Sequence, residues 1–248
     1  LSLHDALPIC LILLNRGVFW DGWRIWNALT LGDGSELTTL FVQRGQPALA
    51  WFHLAMGQLP DIIVGYRLVV FVSLFFSALV TLHILRKHVR LDPPTSMAIV
   101  LLWLAYPPNG VLFELINAPY PLCYLLFLLG VLAYLEALGR PPLHRFALTM
   151  ASVILIYPAF TLDSLLVFYG GLFVVLIRHQ ALLAKADGAG CIRRVVRHLP
   201  LLLVPVTYWV VKKWLTPSHG EGLGYNSLSW SVPEVGTHFV RNIYYSVL

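Results

Sequence analysis

Residues 62–85 read IIVGYRLVVFVSLFFSALVTLHIL, and this run decides the fold class. A helix needs about 20 predominantly apolar residues to cross a hydrocarbon core of about 30 Å. The run is long enough, and its one fixed cation, Arg67, lies near its start. The rest of the chain has the same character. Of 248 residues, 58% are hydrophobic and 12% are charged, and the mean hydropathy is +0.74. A soluble domain could not hide that much apolar surface, being ordinarily about 25% charged. The composition predicts an all-α, polytopic helical membrane protein.

Outward from this run, apolar segments alternate with breakers. A truncated first span ends near Leu14, and the second is 62–85. The third covers about 96–106, the fourth 120–138, a short fifth 146–157, the sixth 162–177 and the seventh about 199–211, giving about seven spans. Pro107, Pro108, Pro119, Pro121 and Pro158 fall at or between these segments, where proline ends a helix without removing an interior hydrogen bond. Residues 146–177 form either two short spans hinged at Tyr157-Pro158 or one overlong tilted span.

Orientation follows from the basic residues, which favour the cytoplasmic side of short connections. Arg86, Lys87 and Arg90 follow the second span, Arg140 and Arg145 the fourth, and Arg178, Lys185, Arg193, Arg194 and Arg197 the sixth. The opposite, outer face then receives residues 15–61, 107–121, 157–163 and 216–248. Asp21, Asp33, Glu36, Asp61, Glu114, Asp163, Glu221 and Glu234 lie in these outer segments. Acid-dependent chemistry therefore belongs to the outer face.

The net charge of +5 is topogenic and implies no nucleic-acid partner, because the basic residues form short clusters between apolar runs. Cys10, Cys123 and Cys191 are scattered, giving neither a disulfide framework nor a zinc motif. Residues 1–9, LSLHDALPI, match translated sequencing adapter and are excluded from fold reasoning. Residues 10–248 are then one transmembrane domain, expected to be an N-terminal fragment truncated at both ends. Soluble-enzyme chemistry has no foothold: the chain lacks a nucleophile elbow, a phosphate-binding glycine loop and a His-Glu-x-x-His helix.

The first outer segment carries the functional signal. Trp23, Ile25, Trp26 and Leu29 recur at helical spacing, and Leu49, Phe52, Leu54 and Met56 follow Pro47 in a second apolar piece. Both suit helices lying in the membrane interface. Gly32-Asp33-Gly34 and Arg44-Gly45-Gln46-Pro47 supply the turns.

Asp21, then Gln46-Pro47-Ala48-Leu49-Ala50-Trp51-Phe52, then Gly65-Tyr66-Arg67-Leu68 give this stretch an order that resembles the GT-C glycosyltransferases, particularly those related to protein O-mannosyltransferases and lipid A aminoarabinose transferases. The resemblance covers roughly residues 10–90. Two features differ from the family pattern: Gly22 follows Asp21 where many members carry a second acid, and a paired proline is reduced to Pro47-Ala48. The resemblance implies transfer of a sugar from a polyprenyl-phosphate donor to a hydroxyl on a glycan, lipid or protein acceptor. It places the chain in a bacterial inner membrane, in contact with its lipids, with the active site facing the periplasm or exterior.

On that reading Asp21 is the candidate general base, since an acceptor alcohol is a poor nucleophile until a carboxylate takes its proton. Its structural alternative is an N-cap on an interfacial helix. Arg67 is the candidate donor-phosphate ligand, its guanidinium fork matching phosphate oxygens; the alternative is a snorkelling residue or a partner for Asp61. Lys212 and Lys213, ending the seventh span on the same face, are further candidates for the phosphate, or they snorkel. Glu114 and Asn117 are placed to orient the acceptor or to hold a divalent cation with Asp21. No dense carboxylate motif fixes a metal site, so the sequence establishes no cofactor. Asp163 is read as a helix cap, and His219 and Glu221 as loop residues. A transporter or lipid-linked glycan flippase is the main alternative function, and a non-catalytic polytopic membrane protein the other. Transporters place ionisable groups midway through their spans, whereas here the acids gather at one face.

Overall fold

A computed structural model describes residues 12–19, 21–32, 34–105, 112, 114–162, 169 and 188–216, with 188–197 as backbone alone. The described residues contain helices and turns and no strand. Three short helices come first: α1 (Gly22–Thr30), α2 (Ser35–Gln43) and α3 (Pro47–Gly57). Two of them occupy the segments where apolar spacing predicts interfacial helices, and the turns fall where expected. Gly34 and Gly45 adopt φ of 76° and 68°, left-handed backbone that glycine enters without a Cβ penalty. Helix α2 was not legible, because SELTTLFVQ has a weak apolar stripe between two strong turn signals.

The long helix α4 (Ile62–Ile84) follows. Asp61 caps it, its carboxylate accepting from the Val64 amide at 3.0 Å. One side of α4, carrying Tyr66, Val70, Leu74 and Ser77, is buried. The opposite side exposes Leu68, Phe75, Phe76 and Leu79, which recur at helical spacing. Such a stripe accompanies a segment, Ile62–Val89, that is long and apolar enough to cross a membrane. The helix passes into a π-helical turn, Leu85–Val89, and the chain reverses at Arg90.

Helix α5 (Pro93–Leu104) is capped by Asp92, and a 3-10 turn (Leu115–Asn117) leads into α6 (Pro119–Ala137). Helix α7 (Pro142–Ala159) returns antiparallel along α6. Their approach is close at Gly130, where a Cβ would meet Ile156 Cγ1 at 2.5 Å and the Ser152 carbonyl oxygen at 3.0 Å. Helix α8 (Gly188–Leu215) packs on α7, with Tyr208 against Tyr157 and Phe160 at ring separations of 5.6 and 5.8 Å.

Seven spans are not supported by the described residues. Among the described residues two segments are long and apolar enough to cross a membrane, Ile62–Val89 and Leu115–Ala137. The third expected span is a 12-residue helix, about 18 Å long and too short for a core of about 30 Å. The fifth is longer than its apolar run, because α7 begins with Pro142, His144 and Arg145, which dilute its hydropathy. The seventh lies within α8, interrupted by Pro200 and Pro205 and flanked by basic residues. The sixth falls almost wholly outside the described residues, as does Asp163. Near Tyr157-Pro158 the helix ends: α7 closes at Ala159, and Phe160 and Thr161 turn back onto the Tyr157 and Pro158 carbonyls.

Candidate functional site

Buried Arg67 organises the end of the bundle at which α4 begins. Its side chain points into the protein, with only 1% of the residue exposed. Nε donates to the Asn15 carbonyl at 2.9 Å and Nη2 to the Gly17 carbonyl at 2.6 Å. The segment it holds is outside any helix, and a cation supplies donors for its carbonyls. Asn15 Oδ1 accepts from the Gly17 amide at 2.9 Å and tightens the same bend. Arg67 thus fixes the backbone that leads to Asp21. The cation that pairs with Asp61 is the exposed Arg16, and with the cap bond it holds Asp61 below the usual carboxylate range, the amide of Val64 being the larger cause.

Asp21 occupies the N-cap position of α1, yet its side chain makes no capping hydrogen bond. Its carboxylate is exposed. The start of α1 rests on the 3-10 turn: a Cβ on Gly22 would lie 3.4 Å from the Leu115 amide nitrogen. This packing brings Glu114, the residue preceding that turn, towards Asp21. Desolvation raises the Glu114 pKa above its ordinary value, and the nearby Asp21 charge raises it further. Asn117 Nδ2 donates to Glu114 Oε2 at 3.2 Å. Two carboxylates and an amide from distant parts of the sequence therefore meet at one rim.

Lys212 and Lys213 belong to the same end. Gln46, at the start of α3, donates to the Thr161 carbonyl at 3.2 Å, and Phe160 beside it packs on Tyr208, one helical turn before Lys212. Lys213 Nζ lies 5.2 Å from the centre of the Trp209 ring, a cation–π contact. Of the sequence-derived candidates, Asp21, Glu114 and Asn117 come together at the surface. Arg67 is buried beneath them and holds the backbone of residues 15–17 that leads to Asp21. Lys212 and Lys213 share the end of the bundle. His219 and Glu221 lie outside the described residues.

His53 was not singled out by the sequence. It is fully buried in α3, stacked on Phe41 at 5.1 Å, and its Nδ1 shares a 2.6 Å hydrogen bond with the Tyr66 hydroxyl. Burial pushes its pKa down to about 4. The only signal was a histidine inside PALAWFHLAMG, a strongly apolar helix. A groove of about 450 Å³, lined by Leu79, Leu82, His83, Arg86 and Lys87, lies at the far end of α4 from Asp21. No protein-family model matches the chain, nor does any curated protein or solved structure.

Proposed function

We propose that the chain is a membrane-embedded glycosyltransferase that moves a sugar from a polyprenyl-phosphate donor to an acceptor hydroxyl at the Asp21 end of the bundle. One observation carries this reading: the start of α1 packs on the turn at Leu115, so two carboxylates from separate segments, Asp21 and Glu114, lie beside each other at one end of the bundle. Asp21, exposed and uncommitted to its cap, takes the acceptor proton as the new glycosidic bond forms. Glu114, oriented by Asn117, holds the acceptor. It takes the place of the second acid that Gly22 lacks, arriving from across the helix start.

Lys212 and Lys213 are the cations that meet the departing phosphate, and Arg67 is a positioning residue acting through residues 15–17. The helices α1 to α3 form a shelf beside the site, suited to the headgroup region, where a lipid-borne donor and a polar acceptor meet. A buried ionisable side chain in a span is a transporter signature. Arg67 is instead bonded to backbone carbonyls, which favours a structural use.

The test is transfer from a polyprenyl-phosphate sugar by the purified protein in lipid nanodiscs. Asp21→Asn should lower turnover by about 100-fold or more and Glu114→Gln by less. Wild-type turnover in Asp21→Asn would remove the mechanism.

A further inference from the structure

At the opposite end of α4 the backbone itself is unusual. Residues five apart on an α-helix diverge by about 140°, whereas a π turn, with its wider i→i+5 bonding, brings such positions together. The turn Leu85–Val89 does this for His83 and His88, whose rings lie 6.3 Å apart. Both present Nε2 to a single oxygen, Oε1 of Glu136 at the end of α6, at 3.9 Å and 3.1 Å. One ligand atom from each of the three residues fits within a 4.8 Å span.

We propose that His83, His88 and Glu136 form a binding site for a first-row divalent transition ion such as Zn²⁺. Two ligands at about 2.0–2.1 Å from a tetrahedral ion lie roughly 3.3 Å apart, and the two nitrogen–oxygen separations bracket that value. Two imidazoles and one carboxylate favour zinc or its neighbours over magnesium or calcium, which prefer oxygen donors. The ligands come from two helices, so the ion also ties the ends of α4 and α6 together. The groove lined by His83, Arg86 and Lys87 leaves coordination positions open to water or an anionic ligand.

Glu136 is also contacted by Lys87, with Arg140 Nη2 3.9 Å from its other oxygen. Lys87 therefore competes with the ion. Its side chain is half exposed and can swing into solvent when the ion binds. This site is independent of the transferase reading and lies at the other end of the bundle from Asp21.

The full chain in detergent, stripped of metal by a chelator, is titrated with Zn²⁺ by calorimetry and with Co²⁺ by absorption. One site per chain is expected, weakened at least tenfold by His88→Ala, Glu136→Gln or His83→Ala. Lys87→Met should bind as tightly or more tightly, and His144→Ala should bind as the wild type does. In the wild-type protein, Zn²⁺ should also shield His83 and His88 from diethyl pyrocarbonate, mapped by mass spectrometry. This readout does not depend on how any variant folds. Undiminished affinity in folded His88→Ala and Glu136→Gln proteins would overturn the site. So would the absence of shielding at saturating Zn²⁺.

Discussion

The Nη2 of Arg67 donates to the carbonyl of Gly17 at 2.6 Å, tying a buried cation on the long apolar helix α4 to the stretch of backbone that precedes Asp21. The bond crosses 50 residues of sequence. It turns a charge that would be costly inside an apolar helix into the anchor of the candidate site.

Removing that anchor should be expensive. Arg67→Met leaves two carbonyls without their donor and should cost about 2–3 kcal/mol. A lower melting temperature in detergent and faster proteolysis within residues 15–19 would register it. Arg67→Lys retains a charge without the fork and should recover only part of the loss.

The coupling of the two acids gives a directional test. Asp21→Asn removes a negative charge that raises the Glu114 pKa, so Glu114 should ionise at lower pH in the variant. Desolvation persists, keeping it above an ordinary glutamate. Infrared titration of isotopically labelled glutamate carboxyls would follow the shift, and an unmoved Glu114 would break the pairing.

His53 should make the fold acid-sensitive. Its folded pKa of about 4 lies below the ordinary histidine value of 6.5, so on acidification the unfolded chain takes up this proton first. Its contribution is level above pH 6.5, and stability falls as pH drops from there towards about 4, by on the order of 3 kcal/mol. His53→Gln, which still offers the Tyr66 hydroxyl a partner, should flatten thermal stability across that window.

The α6–α7 contact is equally specific. Gly130→Ala places a methyl group against a backbone carbonyl that cannot rotate away. A loss of about 1–3 kcal/mol is expected, read as a lower melting temperature. Gly139→Ala, at a position with nothing within 4 Å, serves as the control.

Local signals carried part of this structure. The run 62–85 was legible because twenty-odd apolar residues leave a helix few alternatives, and Gly34 and Gly45 marked turns because they stand between periodic segments. The span count was not legible, since hydropathy counts apolar runs without fixing where helices stop. At the site, Asp21, Glu114 and Asn117 could be nominated one by one, but their meeting depends on α1 resting on the turn at Leu115, a tertiary contact. Arg67 was visible as a charge, while its partners were not: main-chain carbonyls leave no mark in a sequence. The pairing of His83 with His88 was hidden for another reason, because ordinary helical spacing would send them apart.

The outward stripe of Leu68, Phe75, Phe76 and Leu79 has a practical consequence. Stripped of amphiphile, two copies of the chain would adhere along it, since aromatic and branched side chains gain more from each other than from water. Detergents whose tails fall short of that strip should therefore yield aggregates, and longer-tailed ones single particles.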